Sequence, residues 1–125
     1  MNTVVYGIKN CDTMKKAFAW LESNSVAYRF HDYRKEGIDT ATLLRWCHIL
    51  GWENLVNKRG TTWRKLSAEQ QTVTGEAEAI ALMQSQTSLI RRPVIEFPGP
   101  DDEPQLLVGF DAGQYAQSLQ REEKS

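Results

Sequence analysis

The side-chain periodicity of this chain changes twice between Thr3 and Asp32, and that opening limits the architectures open to it. Thr3-Val4-Val5-Tyr6 is a β-branched and aromatic run stopped by Gly7, the pattern of a short strand. From Thr13 the spacing turns helical: Met14, Ala17, Phe18 and Leu21 fall at i, i+3, i+4 and i+7, with Lys15, Lys16 and Glu22 off that face. Asn24-Ser25 ends the helix, and Val26 to Asp32 alternates as a second strand. Strand, helix and strand in this order form a βαβ unit, with parallel strands and a right-handed crossover.

The remainder adds a helical middle and a β-β-α ending. Gly37 breaks the chain, Asp39 caps a helix through Leu50 with Leu43, Cys47 and Leu50 on its apolar face, and Gly51 closes it. A shorter helical turn follows at Glu53 to Val56. The basic stretch Asn57 to Lys65 has no helical period and reads as a loop. Ser67 and Gln70 make a capping box. Glu76 to Gln84 reads as a helix buried through Ala77, Ile80, Ala81 and Met83. Val94 to Phe97 and Gln105 to Val108 form a hairpin, Asp111 with Gln114 caps a last helix near Ala112 to Leu119, and the tail is expected to fray. No internal repeat or low-complexity segment is present. One mixed sheet flanked by helices, an α/β fold in a single domain over residues 1–125, accounts for this order.

At 125 residues, 41% of them hydrophobic, the chain supports a core without metal or disulfide. A net charge of −1 argues against a nucleic-acid or anionic-membrane partner, and no apolar run approaches the roughly 18 residues of a membrane helix. The start lacks a basic leader followed by an apolar stretch, so a cytoplasmic protein is expected. Nothing marks a dimer surface, and a monomer is the default. Two cysteines do not make a secreted scaffold, and with His31 and His48 they show no zinc spacing. Charge is uneven along the chain: residues 1–65 hold 11 Lys/Arg and 6 Asp/Glu, residues 66–125 hold 4 and 10. Arg91 and Arg92, ahead of Pro93, therefore stand out in an acidic stretch, either as solubilising charges or as an anion site.

Cys11 lies between the first strand and the first helix, where backbone N–H groups lack intrahelical partners and favour a thiolate. The helix end, with Lys9, Lys15 or an arginine from elsewhere, is the candidate source of activation. The alternative is a small buried hydrophobe, which is the stronger reading for Cys47 on its apolar helical face. Position 14 is Met, so no resolving thiol follows Cys11 at the spacing of a dithiol oxidoreductase. A disulfide formed on Cys11 must then be resolved by an outside thiol. The basic segment with Trp63 also suits phosphate neutralisation and stacking, but it is short and carries one aromatic residue.

Tyr6-Gly7-Ile8-Lys9-Asn10-Cys11-Asp12-Thr13, Lys58-Arg59-Gly60-Thr61-Thr62-Trp63, Leu89-Ile90-Arg91-Arg92-Pro93-Val94 and Leu107-Val108-Gly109-Phe110, in this order, resemble the ArsC/Spx family, most closely its YffB-like branch. The resemblance implies a thioredoxin-like fold with a mixed four-stranded sheet and a helical insertion at about residues 37–88. It places the family's cysteine at Cys11 and the arginine of its Arg-Pro motif at Arg92. It also implies a cis peptide bond before Pro93, which exposes backbone groups for pairing with a thiol-bearing peptide. The arsenate reductases of the family carry further arginines, at positions matching about Asn57 (Arg59 is two residues away) and Val108-Gly109-Phe110, where no cation stands. Its Spx branch binds RNA polymerase and often carries a CxxC switch, which Met14 removes.

The expectation is a glutathione-dependent thiol–disulfide reductase with Cys11 as nucleophile and glutathione as co-substrate, acting on a small disulfide or oxyanion substrate. Arg92, Arg59, Lys58 and Lys9 hold glutathione carboxylates and favour the thiolate in this reading. Asn10 and Thr13 shape the turn, and Pro93 forms the peptide-facing wall. The alternatives are an arsenate reductase and a non-enzymatic regulator that binds RNA polymerase. No metal is expected.

Overall fold

A computed structural model of the chain describes residues 2–73 and 75–119. The chain divides into two compact units, one from Met1–Asp32 and Arg92–Ser125, the other from Tyr33–Arg91. The expected fraying of the tail concerns residues 121–125, which lie outside the described residues. Among the described residues, no helix is long and apolar enough to cross a membrane.

The first unit is built on a four-stranded sheet in the order β2-β1-β3-β4, where β1 is Val4–Gly7, β2 Arg29–Asp32, β3 Val94–Pro98 and β4 Pro104–Val108. β1 and β2 pair in parallel, Val5 opposite Phe30, as a βαβ opening requires. β3 is antiparallel to both β1 and β4, with Val5 opposite Ile95 and Ile95 opposite Leu107. Strand alternation sends Val5, Ile95, Phe97 and Leu107 to one face. There they pack with Met14, Ala17 and Leu21 of α1 (Asp12–Ser23) and with Tyr115 and Leu119 of α6 (Ala112–Leu119). On the opposite face Glu96 is buried and accepts a hydrogen bond from the Tyr6 hydroxyl at 3.4 Å.

β2 starts three residues later than the alternation of Val26 to Asp32 suggests. The preceding residues are used to close α1: Ser25 turns at φ +56°, and the Val26 N–H returns to the Leu21 carbonyl at 2.9 Å. The strand ladder begins with the Arg29 N–H on the Thr3 carbonyl.

The second unit is helical: α2 (Tyr33–Glu36), α3 (Thr40–Leu50), α4 (Thr61–Arg64) and α5 (Glu76–Ser85), with short 3₁₀ turns between them. Asp39 caps α3 by accepting from the Thr42 N–H at 2.8 Å, and Gly51 closes it at φ +86°. Ser67 and Gln70 form the expected capping box, with reciprocal bonds of 3.0 and 3.1 Å. One element, α2, was not read from the sequence, and three readings need correction. α2 has no apolar period and is too short to show one; Gly37 ends it at φ +66°. α4 lies inside the basic stretch read as a loop, and its four residues are again too few for a pattern. The turn placed at Glu53 to Val56 is a 3₁₀ turn at Trp52–Asn54, because Val56 is drawn into an antiparallel bridge with Ile90. α5 buries Ala79, Ile80, Leu82 and Met83, while Ala77 and Ala81 are exposed. Alanine marks a helix face weakly, and the larger Leu82 takes the buried side.

Candidate active site

Cys11 occupies the N-cap of α1 with extended backbone (φ −141°, ψ 130°), and its carbonyl accepts the Lys15 N–H at 3.0 Å. The turn before it is closed by the Cys11 N–H on the Lys9 carbonyl at 3.2 Å. The side chain is half-buried and packs at the edge of the core formed by α1, the sheet and α6. Burial pushes the thiol up, but the N–H groups of Met14 and Thr13, a hydrogen bond from Arg92 and the charge of that guanidinium outweigh it. The net result is a thiol held below its ordinary value. The sulfur makes no cap hydrogen bond of full geometry, so the amides act as oriented dipoles at a helix end. Lys9 and Lys15 are not among the groups that lower it.

Arg92 enters the site because β3 begins two residues later, and the Arg92–Pro93 peptide is cis. Pro93 is buried, and its carbonyl accepts the Gly109 N–H at 2.9 Å. Gly109 turns at φ +79°, in the left-handed region that suits glycine, and its carbonyl accepts the Tyr115 hydroxyl at 2.6 Å. A chain of hydrogen bonds thus runs from α6 through Gly109 to Pro93, the residue that follows Arg92. The expected residues Lys9 and Asn10 are exposed in the turn, and Thr13 supplies a backbone N–H.

Lys58 and Arg59 belong to the helical unit. The Lys58 ammonium lies 5.7 Å from the Trp52 ring centroid and 5.5 Å from that of Trp63. Arg59 is fixed through its backbone: its N–H donates to Asn57 Oδ1 at 3.1 Å, and its carbonyl accepts Arg64 Nη2 at 3.0 Å. Arg91 and Arg92, adjacent in sequence, fall to different units. Arg91 sits beside the Lys58-Arg59 segment and donates to the Asn54 carbonyl at 3.5 Å. The spacing of Trp52, Lys58 and Trp63 gives no sequence signal for the paired indole contact.

Cys47 is buried on α3, where burial and then the Glu76 carboxylate push its thiol up to about 11. Cys11 is therefore the more readily ionised of the two cysteines. The arrangement offers a thiolate at a helix N-terminus with a guanidinium on its sulfur, which is the apparatus for attack on a polarised sulfur or oxyanion centre.

Residues 6–118 match the ArsC family. A solved structure of a YffB protein superposes with a TM-score of 0.87 at 50% identity, covering 94% of this chain and 99% of that one. The solution structure of an arsenate reductase-related protein from Brucella melitensis gives a TM-score of 0.69 at 46% identity, over 94% of this chain and 93% of the other. Global transcriptional regulator Spx 1 of Lactococcus lactis is 28% identical over 94% of this chain and 89% of its own length. The mixed sheet with its cysteine at the start of α1 is the thioredoxin-like fold of these neighbours. Matched along nearly its whole length, the chain belongs to the ArsC family.

Proposed function

We propose that the protein is a thiol–disulfide reductase of the cytoplasm, acting as a monomer, that works through Cys11 alone and uses glutathione as the resolving thiol. The observation that carries this reading is the Arg92 guanidinium on the Cys11 sulfur together with the Thr13 and Met14 N–H groups. Cys11 thiolate attacks one sulfur of a disulfide R–S–S–R′, forming Cys11–S–S–R and expelling R′S⁻, which takes a proton. A glutathione thiolate then attacks the R sulfur, forming R–S–S–G and releasing Cys11 as thiolate. Repetition on R–S–S–G, with Cys11–S–S–G as the intermediate and a second glutathione as reductant, gives RSH and glutathione disulfide. Each step exchanges one S–S bond for another, so no metal or further oxidant is required. Met14 and the buried Cys47 leave resolution to the outside thiol.

The decisive experiment is turnover of a small disulfide with glutathione and a coupled glutathione reductase. Wild type turns over and Cys11→Ser does not; equal turnover in both would overturn the reading. The likeness to Spx 1 supports a second reading, a non-enzymatic regulator that binds RNA polymerase. Retention of the protein by purified polymerase subunits, undiminished in Cys11→Ala and without measurable turnover, would favour it. Arsenate reduction is assayed in parallel. The position on the last strand that the family's arsenate reductases fill with an arginine is here the neutral Val108-Gly109-Phe110.

A further inference from the structure

Two hydrogen bonds within the first unit meet at Gly109. Its N–H donates to the Pro93 carbonyl at 2.9 Å, and its carbonyl accepts the Tyr115 hydroxyl at 2.6 Å. Gly109 sits at φ +79°, and nothing lies within 4 Å of the place a Cβ would take. Packing therefore does not hold this residue, and a glycine backbone is the most permissive of all. Just past the end of β4, its conformation is set by these two bonds. Arg92 depends on the same turn. It lies two residues before β3, outside the ladder that opens with Val94 opposite Val108. The backbone on its C-terminal side is tied down at Pro93 by the Gly109 N–H. A guanidinium on a long stem keeps its partner only while the backbone beneath it is fixed, because each freed torsion spreads the fork over more positions.

Tyr115 is itself firmly held. It is buried on α6, its N–H donates to the Asp111 carbonyl at 2.9 Å, and Asp111 Oδ1 accepts the Gln114 N–H at 3.0 Å. Trp20 of α1 meets the Tyr115 ring edge to face, with centroids 5.4 Å apart, and Phe110 does so at 5.2 Å. Burial pushes the phenol up, so the hydroxyl stays protonated and donating over the range in which a thiol titrates. The N-cap of α1 is Cys11. One buried side chain thus touches the helix that carries the thiol and the turn bonded to the residue after Arg92.

We propose that Tyr115 is a positioning residue for the Cys11 site: by fixing Gly109, and through it Pro93, its hydroxyl holds Arg92 on the Cys11 sulfur. The proposal rests on Cys11 as the reacting thiol, as in the reading above, and not on which thiol resolves it. Tyr115 acts through Arg92 and takes no part in the exchange of sulfur bonds.

The test is the pH dependence of Cys11 alkylation by iodoacetamide on the full chain, with peptide mapping, in wild type, Tyr115→Phe, Arg92→Ala and the double variant. Tyr115→Phe keeps the ring, loses the hydroxyl and raises the midpoint by roughly half a pH unit, a fraction of what one hydrogen bond contributes. In the Arg92→Ala background the same change moves the midpoint no further, because the guanidinium it positions is gone. Gly109→Ala strains the same turn through its positive φ without a clash, and raises the midpoint as well. Ile80→Val, in the core of the helical unit, lowers stability and leaves the midpoint in place. A merely structural Tyr115 would move the midpoint no more than Ile80→Val does. A Tyr115→Phe midpoint equal to that of wild type, or a rise that persists without Arg92, would overturn the proposal and leave Cys11 as the reacting thiol. A wild-type midpoint at the ordinary thiol value, unmoved in every variant, would overturn the activated thiol of the reading above and the proposal with it.

Discussion

The Arg92 guanidinium, two residues before β3, hydrogen-bonds the Cys11 sulfur at the N-cap of α1. The pairing sets the sign of a first prediction. A cation and a donor on the sulfur stabilise the thiolate, so Arg92→Ala shifts the pH midpoint of Cys11 alkylation upward and slows alkylation at neutral pH several-fold. Arg92→Lys retains the charge but not the fork, and falls between the two. Rates of iodoacetamide labelling against pH, with peptide mapping to identify the cysteine, provide the check. An unchanged midpoint in Arg92→Ala would show that the helix end alone activates the thiol.

Cys47 should behave in the opposite way. Burial and the Glu76 carboxylate raise its thiol from 9.0 to about 11, so the unfolded chain ionises it first. Stability present below pH 9 is lost as pH rises from 9 toward 11, and Cys47→Ala removes that share of the slope. Burial also raises Tyr115 and Tyr28, which act in the same direction above their ordinary value of 10.0, so the comparison with Cys47→Ala isolates the thiol. In the native protein at neutral pH, alkylation labels Cys11 and spares Cys47 until denaturant is added.

Gly7 meets Met14 where β1 turns toward α1. A Cβ at Gly7 would lie 2.6 Å from Met14 Cε and collide with its Sδ, and Met14 is fully buried. Gly7→Ala should cost about 1–3 kcal/mol by overpacking. Met14→Ala alone leaves a cavity, at about 2–5 kcal/mol. Because the two changes share one space, Gly7→Ala with Met14→Ala should cost less than their sum in urea unfolding. Additive losses would show that the side chain of Met14 moves aside freely.

Tyr115 secures the turn behind Pro93 through its 2.6 Å bond to the Gly109 carbonyl. Tyr115→Phe keeps the ring contacts with Trp20 and Phe110 and loses only that bond, so it should cost roughly 1 kcal/mol. A loss near zero, measured by urea unfolding, would show that solvent replaces the hydroxyl without penalty.

Legibility in the sequence followed the reach of each physical signal. The βαβ opening was plain because Met14, Ala17 and Leu21 repeat over a long helix, and all three are buried. Asp39, Ser67 with Gln70 and Asp111 with Gln114 were readable as caps because the bonds span three residues. The cis bond at Pro93 was expected from family likeness alone. Short elements escaped: α2 and α4 are single turns, and in α5 Ile80 and Met83 were read correctly while Ala77 and Ala81 stood in for Ala79 and Leu82. Within the site, Cys11 was found by its position before a helix, and Arg92 was named as a cation for its thiolate through the family likeness, but spacing alone did not choose Arg92 over the lysines. Lys9 and Lys15 are near in sequence, whereas Arg92 reaches the sulfur through sheet topology. Likewise, nothing local separates Arg91 from Arg92 or ties Lys58 to Trp52 and Trp63.

The most direct test of the central claim is an ultraviolet titration of thiolate absorbance on Cys47→Ala protein, where Cys11 is the only thiol. The account predicts one transition with its midpoint below the ordinary thiol value, and the loss of that depression in Cys47→Ala/Arg92→Ala. A midpoint at or above the ordinary value in Cys47→Ala would contradict it.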